Sequence, residues 1–600
     1  MPCVFQRLVW LVPLAVAAAG IARPRAALVA LAAALPFFGA SRGGPYQGAL
    51  DAACLAAILL SLRARRPERS GLDFAVLAFA AVGVASFLPL TYHPPSWEPR
   101  VLLGLAHALA NAQAWSGLFT WRALLDLLLG CGLYFATRQA FADRSARPLA
   151  LGLAAGLTVL VLLGLAEHLG AVDLGAYRTI AAEGRLHALF SNSGWLGQYL
   201  VIAAPLAAGA LLVTGPWGRG AGALLLLLCL ATLLLSHQRG AWLAVLVQCG
   251  VGLVLLEPRR WREPHVRRAA LAVAMTAVVA TGLVALSRPR LVAGFAARVT
   301  NPDLLQRPYL WRAAARLWLE RPVAGWGIGS FEPVLEQRAP VSEVQVEAHG
   351  EAHSTLLQVA AERGLAGLLG VVLLVVAGVV SARQGLRHGD DRAMAVGRAL
   401  ALAGAATYGL VQYIWYLPAV GVLVWIVLGM GRDSSNARSD QRVLRAAAVL
   451  AGLAALLAAW RVLAVEPLRV PDDRSYGFHR PEPAEGRAFQ WTEGRAARRI
   501  DCRGQWLRLD LANGHPAGSK RPVEVTIRVD GRRIAVRDVP AAWQASTLSI
   551  GDACDDGSAV VELVARPTFR PFSDLRGDPG RPVPRDEREL GVAVRDLRIE

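Results

Sequence analysis

The run LAGLLGVVLLVVAGVVSA, residues 365–382, holds no charged side chain and is long enough to cross a bilayer as one helix. Similar apolar runs recur along most of the chain, separated by short breaks rich in arginine, glycine or proline. Of the 600 residues, 54% are hydrophobic and only 18% are charged, and the mean hydropathy is +0.40. This composition is too apolar for a soluble chain of this length and predicts a polytopic α-helical membrane protein.

The lengths of the apolar runs predict about 12 to 14 spanning helices. The first run, from Leu8, has the length of a secretory signal, but further apolar runs follow it at once, and it is interpreted as a retained span. The predicted spans are residues 8–22, 26–40, 48–62, 71–90, 121–137, 149–169, 196–213, 220–236, 241–256, 269–286, 365–382, 399–415, 416–432 and 443–464.

Short basic loops predict the orientation of these spans, because Lys and Arg near span ends resist translocation. The loops 63–69, 138–147, 257–268 and 383–398 are all rich in arginine, and counting the spans places all four on one side, the cytoplasm. Residues 170–195, 237–240 and 287–364 then face the outside. The last segment also carries arginines, but the charge rule is weak for loops longer than about 60 residues.

The chain is predicted to divide into a membrane domain, residues 1–464, and an extracytoplasmic domain, residues 465–600. WLRLDL, VEVTIRVDGRRIAV, STLSI, AVVELVA and LGVAVRDLRI alternate apolar and polar residues, and Asp530-Gly531 is typical of a two-residue hairpin turn. A small β-sandwich is the expected fold, and a carbohydrate-contacting role and a partner-docking role both remain open. Cys502 and Cys554 are the only cysteines there, which predicts a disulfide in a non-cytosolic domain.

The stretch EAHGEAHST, residues 347–355, offers three interpretations: a metal site, a proton-transfer site, or a solvated surface. His349 and His353 are four residues apart and would share one helix face. Gly350 interrupts that turn, the order is H-x-E-x-H, and no third ligand is indicated by spacing, so no metal is expected. His353 lies close before the span at 365, at the outer membrane surface on the predicted orientation.

Two arginines are predicted at the same level as His353. Arg185 lies in GRLHALFSNSGWLGQYL, which leads into a span, and Arg239 stands in LLLSHQRGAWLA between two apolar runs. An isolated arginine at a span end often only snorkels to the interface. Two of them on the side of an external histidine indicate a site for an anionic head group, because guanidinium groups bind phosphate oxygens bidentately and stay charged.

Four segments resemble, in order and spacing, the signatures of the O-antigen ligase and polymerase superfamily. They are GRLHALFSNSGWLGQYL, LLLSHQRGAWLA, RPYLWRAAARLWLERPVAGWGIGSF from Arg307, and AHSTLLQVAAERGLAGLLG from Ala352, and the resemblance covers roughly residues 70 to 435. It implies a membrane glycosyltransferase of the GT-C type that takes a glycan from undecaprenyl pyrophosphate, without metal or other cofactor. Family members commonly have Asn where this chain has Ser354, and S-R-G-A where it has Gln238 before Arg239.

The resemblance also implies roles for particular residues. The catalytic histidine falls on His353, and the pyrophosphate-binding arginines fall on Arg185 and Arg239. Four further residues are expected as secondary contacts, although one of them, Glu362, would equally orient Arg363 or cap local structure. These four are Arg307, Arg312, Gln358 and Glu362.

The expected function is transfer of a saccharide to an acceptor hydroxyl at the outer face of a bacterial inner membrane. The acceptor is left open between lipid A core, another lipid-linked repeat, and a protein. A transporter and a non-catalytic scaffold are the alternatives from other classes; a transporter would place its ionisable residues near the bilayer midplane. The net charge of +18 is almost wholly arginine, and no nucleic-acid motif accompanies it, so no nucleic-acid partner is expected.

Overall fold

A bundle of apolar helices precedes a C-terminal β-sheet. The computed structural model describes residues 9–39, 44–64, 70–87, 119–141, 145–172, 174, 185–255, 302–331, 335, 351–388, 391–431, 445–446, 448–450, 452–453, 456, 475–484, 487–502, 504–513, 522–530, 532–551, 557–568 and 590–600. The helices are α1 (Leu11–Ala22), α2 (Pro24–Ala34), α3 (Gly44–Ser61), α4 (Gly71–Phe87), α5 (Phe119–Phe141), α6 (Arg147–His168), α7 (Ser193–Leu212), α8 (Pro216–Ser236), α9 (Arg239–Leu255), α10 (Pro302–Glu320), α11 (Thr355–His388), α12 (Arg392–Val411) and α13 (Pro418–Gly429).

The helices confirm a polytopic membrane protein. Among the described residues, five are long and apolar enough to cross a membrane: α6, α7, α8, α11 and α12. Each predicted span between residues 8 and 256, and between 365 and 432, contains a helix, several of which are shorter than a full span. The span at 269–286 lies outside the described residues, and only parts of the one at 443–464 are described, so the predicted number of spans is not confirmed.

Side chains and prolines set where several helices begin. Asn192 Oδ1 accepts a hydrogen bond from Gly194 N at 2.7 Å and caps α7, and Asp391 Oδ1 accepts from Met394 N at 3.2 Å and caps α12. Prolines occupy the first turns of α2, α6, α8 and α13, where their missing N–H group is not needed. The Asn192 cap fixes the start of α7 directly after the segment that carries Arg185.

A break divides α11 after its first turns. Gly364 has φ 61° and ψ −155°, and the loop at residues 321–327 fills the gap in the helical hydrogen bonds. Trp326 N and Gly327 N donate to the carbonyls of Ala361 and Glu362 at 3.0 and 2.7 Å, and Leu365 N donates to Pro322 O at 2.7 Å. A Cβ on Gly364 would lie 2.4 Å from Val323 C, so this crossing requires glycine. The break separates the turns that follow His353 from the apolar part of α11.

Polar groups also gather at the end of the bundle where the predicted cytoplasmic loops begin. Asp73 forms an ion pair with Arg138 Nε at 2.8 Å and accepts a hydrogen bond from the Tyr134 hydroxyl at 2.8 Å. Arg398 donates to the carbonyl oxygens of Val427 and Leu428, both at 3.0 Å. These side chains pair with each other or with backbone carbonyls, as ionisable groups inside a membrane bundle do.

The C-terminal segment contains a single antiparallel sheet, with strand order β5-β4-β7-β2-β8-β3-β6 and β1 on β2. The strands are β1 (Ser475–Ala484), β2 (Arg487–Asp501), β3 (Trp506–Ala512), β4 (Val523–Val529), β5 (Arg532–Val539), β6 (Gln544–Ser549), β7 (Ser558–Arg566) and β8 (Ala593–Ile599).

The predicted strands are confirmed, but a sandwich of two separate sheets is not. The hairpin is also confirmed, because Val529 pairs with Arg532 across the turn. The long strand β2 pairs with β8 near its start and with β7 near its end, and side chains from both halves of the sheet share one core. Because β2 pairs with strands of both halves, the eight described strands form one continuous sheet, whereas a sandwich has two separate sheets. The predicted domain boundary after residue 464 lies outside the described residues.

Cys502 is disulfide-bonded, whereas Cys54, Cys131, Cys229 and Cys249 are free. Its predicted partner, Cys554, lies outside the described residues, so this pairing stays a prediction.

Candidate active site

His353 lies in the short loop that leads into α11. Its backbone has φ 48°, in the left-handed region that few non-glycine residues adopt, and its side chain is 22% exposed. Its ring Nδ1 is 3.0 Å from Gln412 Oε1 and 3.4 Å from Glu351 Oε1. Contacts at Nδ1 therefore orient the ring, and a strained backbone conformation holds the residue in place.

The contacts of Gln412 determine which ring nitrogen of His353 carries the proton. An ionised carboxylate only accepts hydrogen bonds, so Glu351 requires the amide nitrogen of Gln412 to face it, and Gln412 Nε2 does donate to Glu351 Oε1. The amide oxygen of Gln412 then faces His353, and Nδ1 must donate to it. Both neighbours of Nδ1 are oxygens, so the proton of the neutral ring belongs on Nδ1, and Nε2 is the unprotonated nitrogen.

Backbone hydrogen bonds join the loop before α11 to the residues after α12. The Thr355 hydroxyl donates to Gln412 O at 2.9 Å and accepts from Ile414 N at 3.1 Å. Tyr413 N donates to Glu351 Oε2 at 3.3 Å. These bonds cross between segments about sixty residues apart, so they fix both Gln412 and Glu351 beside the His353 ring nitrogen.

Two of the expected secondary residues support the same loop from below. Gln358 Oε1 accepts from Ala352 N at 2.6 Å, and Gln358 Nε2 donates to Glu362 Oε1 at 2.8 Å. Both side chains are buried, at 2% and 1% exposure. Gln358 therefore positions the backbone beside His353, and Glu362 orients Gln358.

The two predicted phosphate-binding arginines are carried by segments that pack together. Leu186 N donates to Leu235 O at 3.1 Å, and Gln238 Nε2 donates to Ser193 Oγ at 2.6 Å, so residues 185–193 lie against the end of α8. Arg239 follows at once, as the first residue of α9, and is exposed. The sequence-distant segments of Arg185 and Arg239 thus meet at one end of the bundle.

Tyr408 links the arginine segments to the His353 loop. It lies one helical turn before Gln412, and its hydroxyl donates to Gly194 O at 2.9 Å. A Cβ on Gly240 would lie 3.4 Å from the Tyr408 ring, so Tyr408 also packs against the start of α9. The His353 loop and both arginine segments therefore surround the end of α12.

The two arginines expected as secondary contacts, Arg307 and Arg312, both lie on α10. Arg307 and Glu351 both act electrostatically on the Tyr408 hydroxyl, whereas Arg312 is exposed on α10. Leu310, Ala314 and Leu317 pack with residues of the 321–331 loop and α11, and they hold α10 beside the site.

The prediction that no metal binds stays a prediction. Within the part of the chain that the structure describes, no three His, Cys, Asp or Glu side chains form a group that would hold a metal ion. His349 and Glu347 lie outside the described residues.

Sequence reasoning considered Glu351 but gave it no role, and it missed Gln412, Thr355 and Tyr408. Glu351 stood beside His353 but had no distinguishing neighbour. Gln412 is the first polar residue after the apolar part of α12, in GLVQYIWYLP, and a polar residue at the end of a span near a predicted outer site was the one available signal.

The family model described as O-antigen ligase matches residues 224–372. Over this segment the chain is similar to the O-antigen ligase family. The matched segment contains Arg239, α10, the crossing at Gly364 and the His353 loop; Arg185 and Gln412 lie outside it. The recognition made from the sequence is thereby confirmed, and the family implies a glycosyltransferase-like membrane enzyme with glycan and lipid-linked substrates. A comparison with curated proteins found no match.

Proposed function

We propose that this O-antigen ligase family member transfers a saccharide from undecaprenyl pyrophosphate to an acceptor hydroxyl, with His353 as the general base. The contact of Nδ1 with Gln412, whose amide is oriented by Glu351, carries the proposal. It leaves Nε2 unprotonated in the neutral ring, and this is what a base needs. The acceptor is a lipid A core sugar or another lipid-linked repeat, as in a ligase or a polymerase.

The reaction is a single displacement at the anomeric carbon. The acceptor oxygen forms a new bond to that carbon while its proton moves to His353 Nε2, and the bond between the carbon and the pyrophosphate oxygen breaks with its electron pair leaving on the pyrophosphate. The anomeric configuration is inverted. A positioned base of this type contributes roughly 10² to 10⁴-fold to the rate.

The surroundings of His353 favour the cation that forms during the reaction. Once Nε2 takes the proton, Nδ1–H still donates to Gln412, and the Glu351 carboxylate lies 3.4 Å away. An opposite charge at this distance stabilises an imidazolium. The pair Glu351 and Gln412 thus both fixes the tautomer and supports the charge.

Arg185 and Arg239 are proposed to bind the pyrophosphate and stabilise its charge as it leaves. Fixed cations at the site of developing charge are often the largest single contribution to catalysis. The contact between their segments, through Gln238 and Ser193, supports a joint role. The predicted orientation then places this end of the bundle at the outer face of an inner membrane.

Transfer from labelled undecaprenyl pyrophosphate glycan in proteoliposomes tests this function. Wild type is expected to form a covalent product with lipid A core or a lipid-linked repeat, and Arg239→Ala is expected to lose most of it. Arg219→Ala is the matched control, because Arg219 is exposed on α8, outside the proposed site. Equal transfer by Arg239→Ala and wild type would contradict the proposed site. Passage of the donor across the bilayer without product would instead indicate a transporter. Product formed only on a protein acceptor would indicate a protein transferase.

A further inference from the structure

A polar pocket lies inside the helix bundle, beside the His353 loop. Its wall includes the carboxylates of Asp51, Asp126 and Glu362, the guanidinium of Arg363, and the indole rings of Trp415 and Trp425. These residues come from α3, α5, α11, the loop after α12, and α13. The proposed reaction gives none of these groups a role in contacting a substrate.

Arg363 is a buried cation, and two of its three guanidinium nitrogens have no hydrogen-bond acceptor among the described residues. Its residue is 3% exposed, and neither Nε nor Nη1 has a hydrogen-bond partner among the described residues. The guanidinium lies 5.0 Å from the centre of the Phe79 ring, which gives only a cation–π contact. Buried polar groups are nearly always hydrogen-bonded, so Arg363 indicates a ligand that brings acceptor oxygens into the pocket.

Trp415 is a second lining residue with a hydrogen-bond donor that is unpaired among the described residues. Its Nε1 also has no hydrogen-bond partner within the described part of the chain. The indole stacks on Trp425 with ring centres 6.2 Å apart and planes 28° apart, and it lies 5.3 Å from the Phe79 ring. The pocket thus combines flat apolar faces with unused donors.

The charge of the pocket disfavours a phosphate group. Three carboxylates and one guanidinium line it, and Arg122 lies behind two of the carboxylates, with Nη1 and Nη2 at 2.5 and 2.7 Å from Asp51 and a further ion pair to Asp126. A dianionic group would face like charge from most of this wall. A sugar ring fits better, because its hydroxyls both donate to carboxylates and accept from Arg363 and Trp415, and its C–H faces pack on aromatic rings.

Hydrogen bonds connect the pocket to Glu351 and Ala352, the two residues that precede His353. Gln358 and Tyr413 both line it, and they bond to Ala352 N and Glu351 Oε2 respectively. None of the described lining residues comes from α7 or α9, which follow the two arginine segments. The pocket therefore adjoins the His353 loop but not the helices that follow the proposed pyrophosphate arginines. In a displacement at carbon the attacking oxygen approaches opposite the leaving group, so a pocket apart from those arginines suits the acceptor.

We propose that this pocket binds a sugar unit of the acceptor and presents its hydroxyl to His353 Nε2. The inference rests on the proposed function, because it takes His353 as the base, and it adds where the sugar of the acceptor binds and which residues contact it. Arg363 and Trp415 supply hydrogen bonds to that sugar, and Trp415 and Trp425 supply the surface on which its ring packs.

Steady-state kinetics on full-length enzyme in proteoliposomes test this inference. The acceptors are rough lipopolysaccharide and, separately, purified lipid-linked repeat, with labelled lipid-linked donor. Trp415→Phe keeps an aromatic ring at this position but removes the Nε1 donor. It is expected to raise the acceptor KM about ten-fold, the loss typical of one hydrogen bond, while the donor KM and kcat stay within about two-fold. Arg363→Gln is expected to raise the acceptor KM by at least as much, because the lost donor is charged. Trp217→Phe is the matched control, since Trp217 is 94% exposed.

The results separate this inference from the proposed function. An unchanged acceptor KM in Trp415→Phe, or an equal rise in the donor KM, would overturn the subsite. Transfer only to a peptide acceptor would also overturn it, although the donor chemistry would stand. Full transfer by His353→Gln would instead remove the proposed function, whatever the pocket variants do. If Arg363→Gln fails to fold, Trp415→Phe alone decides.

Discussion

Replacing Gln412 with leucine tests the proton arrangement at His353. The change introduces an apolar side chain of similar size and removes both the oxygen that faces Nδ1 at 3.0 Å and the donor to Glu351. The ring then loses the contact that fixes its tautomer, and the imidazolium formed in the reaction loses an acceptor. We expect kcat to fall while the donor KM changes little.

The size of this effect follows from the geometry. A hydrogen bond to a group that becomes charged contributes about 1.5–3 kcal/mol, which corresponds to roughly 10- to 150-fold in kcat. The His353 side chain is 22% exposed, so solvent replaces part of the lost contact, and a fall near the lower end is expected. Single-turnover transfer at saturating donor measures it.

A control and a second substitution make the test specific. Gln384→Leu removes another buried glutamine, near the end of α11 that lies farthest from His353, and should leave kcat unchanged. Gln412→Glu retains an acceptor for Nδ1 but adds a negative charge that favours imidazolium, so the acid limb of the pH–rate profile should move to higher pH. Unchanged kcat in Gln412→Leu, or a rise confined to the donor KM, would refute the proposed tautomer.

Three further predictions concern the stability of the protein and its disulfide. Gly364→Ala forces a Cβ into 2.4 Å contact with Val323 C at φ 61° and should destabilise the protein by about 1–3 kcal/mol, seen as a lower midpoint of thermal unfolding in detergent; Gly220→Ala, which meets nothing within 4 Å, should not lower it. Asp51→Asn weakens the buried ion pair with Arg122 and should lower the free energy of unfolding by about 3 kcal/mol or less, because Asp126 still pairs with Arg122. The same midpoint should therefore fall, and an unchanged midpoint would contradict this role. Alkylation of unreduced protein in detergent should label the exposed Cys249 but neither Cys502 nor Cys554, and labelling of Cys554 without reductant would contradict the predicted disulfide.

The sequence predicted what depends on local pattern. Apolar length placed the helices, alternation placed five segments of the sheet, and Asp530-Gly531 placed the hairpin, because each signal is contained in a few adjacent residues. The strands β1 and β2 were missed: RAFQWTEGRAARRID carries many arginines and alternates weakly, and it forms a strand only because partners lie on both of its sides.

The site was predictable only in part, for the same reason. The predicted orientation indicated a site for an anionic group at Arg185 and Arg239 near an external histidine, but the specific roles of the three residues came from a resemblance. The role of Gln412 depends on a contact with a loop nearly sixty residues earlier, and the break at Gly364 depends on backbone donors from residues 326 and 327. A sequence such as AAERGLAGLLG favours one continuous helix until the loop that replaces its hydrogen bonds is known.

Comparison of donor binding with transfer in His353→Gln tests the central claim most directly. If His353 is the base, the variant binds undecaprenyl pyrophosphate glycan with an affinity close to that of wild type, and product formation falls by roughly 10² to 10⁴-fold. If the variant loses both donor binding and transfer, His353 binds the pyrophosphate and is not the base. If the variant keeps full transfer, His353 has no role in the reaction.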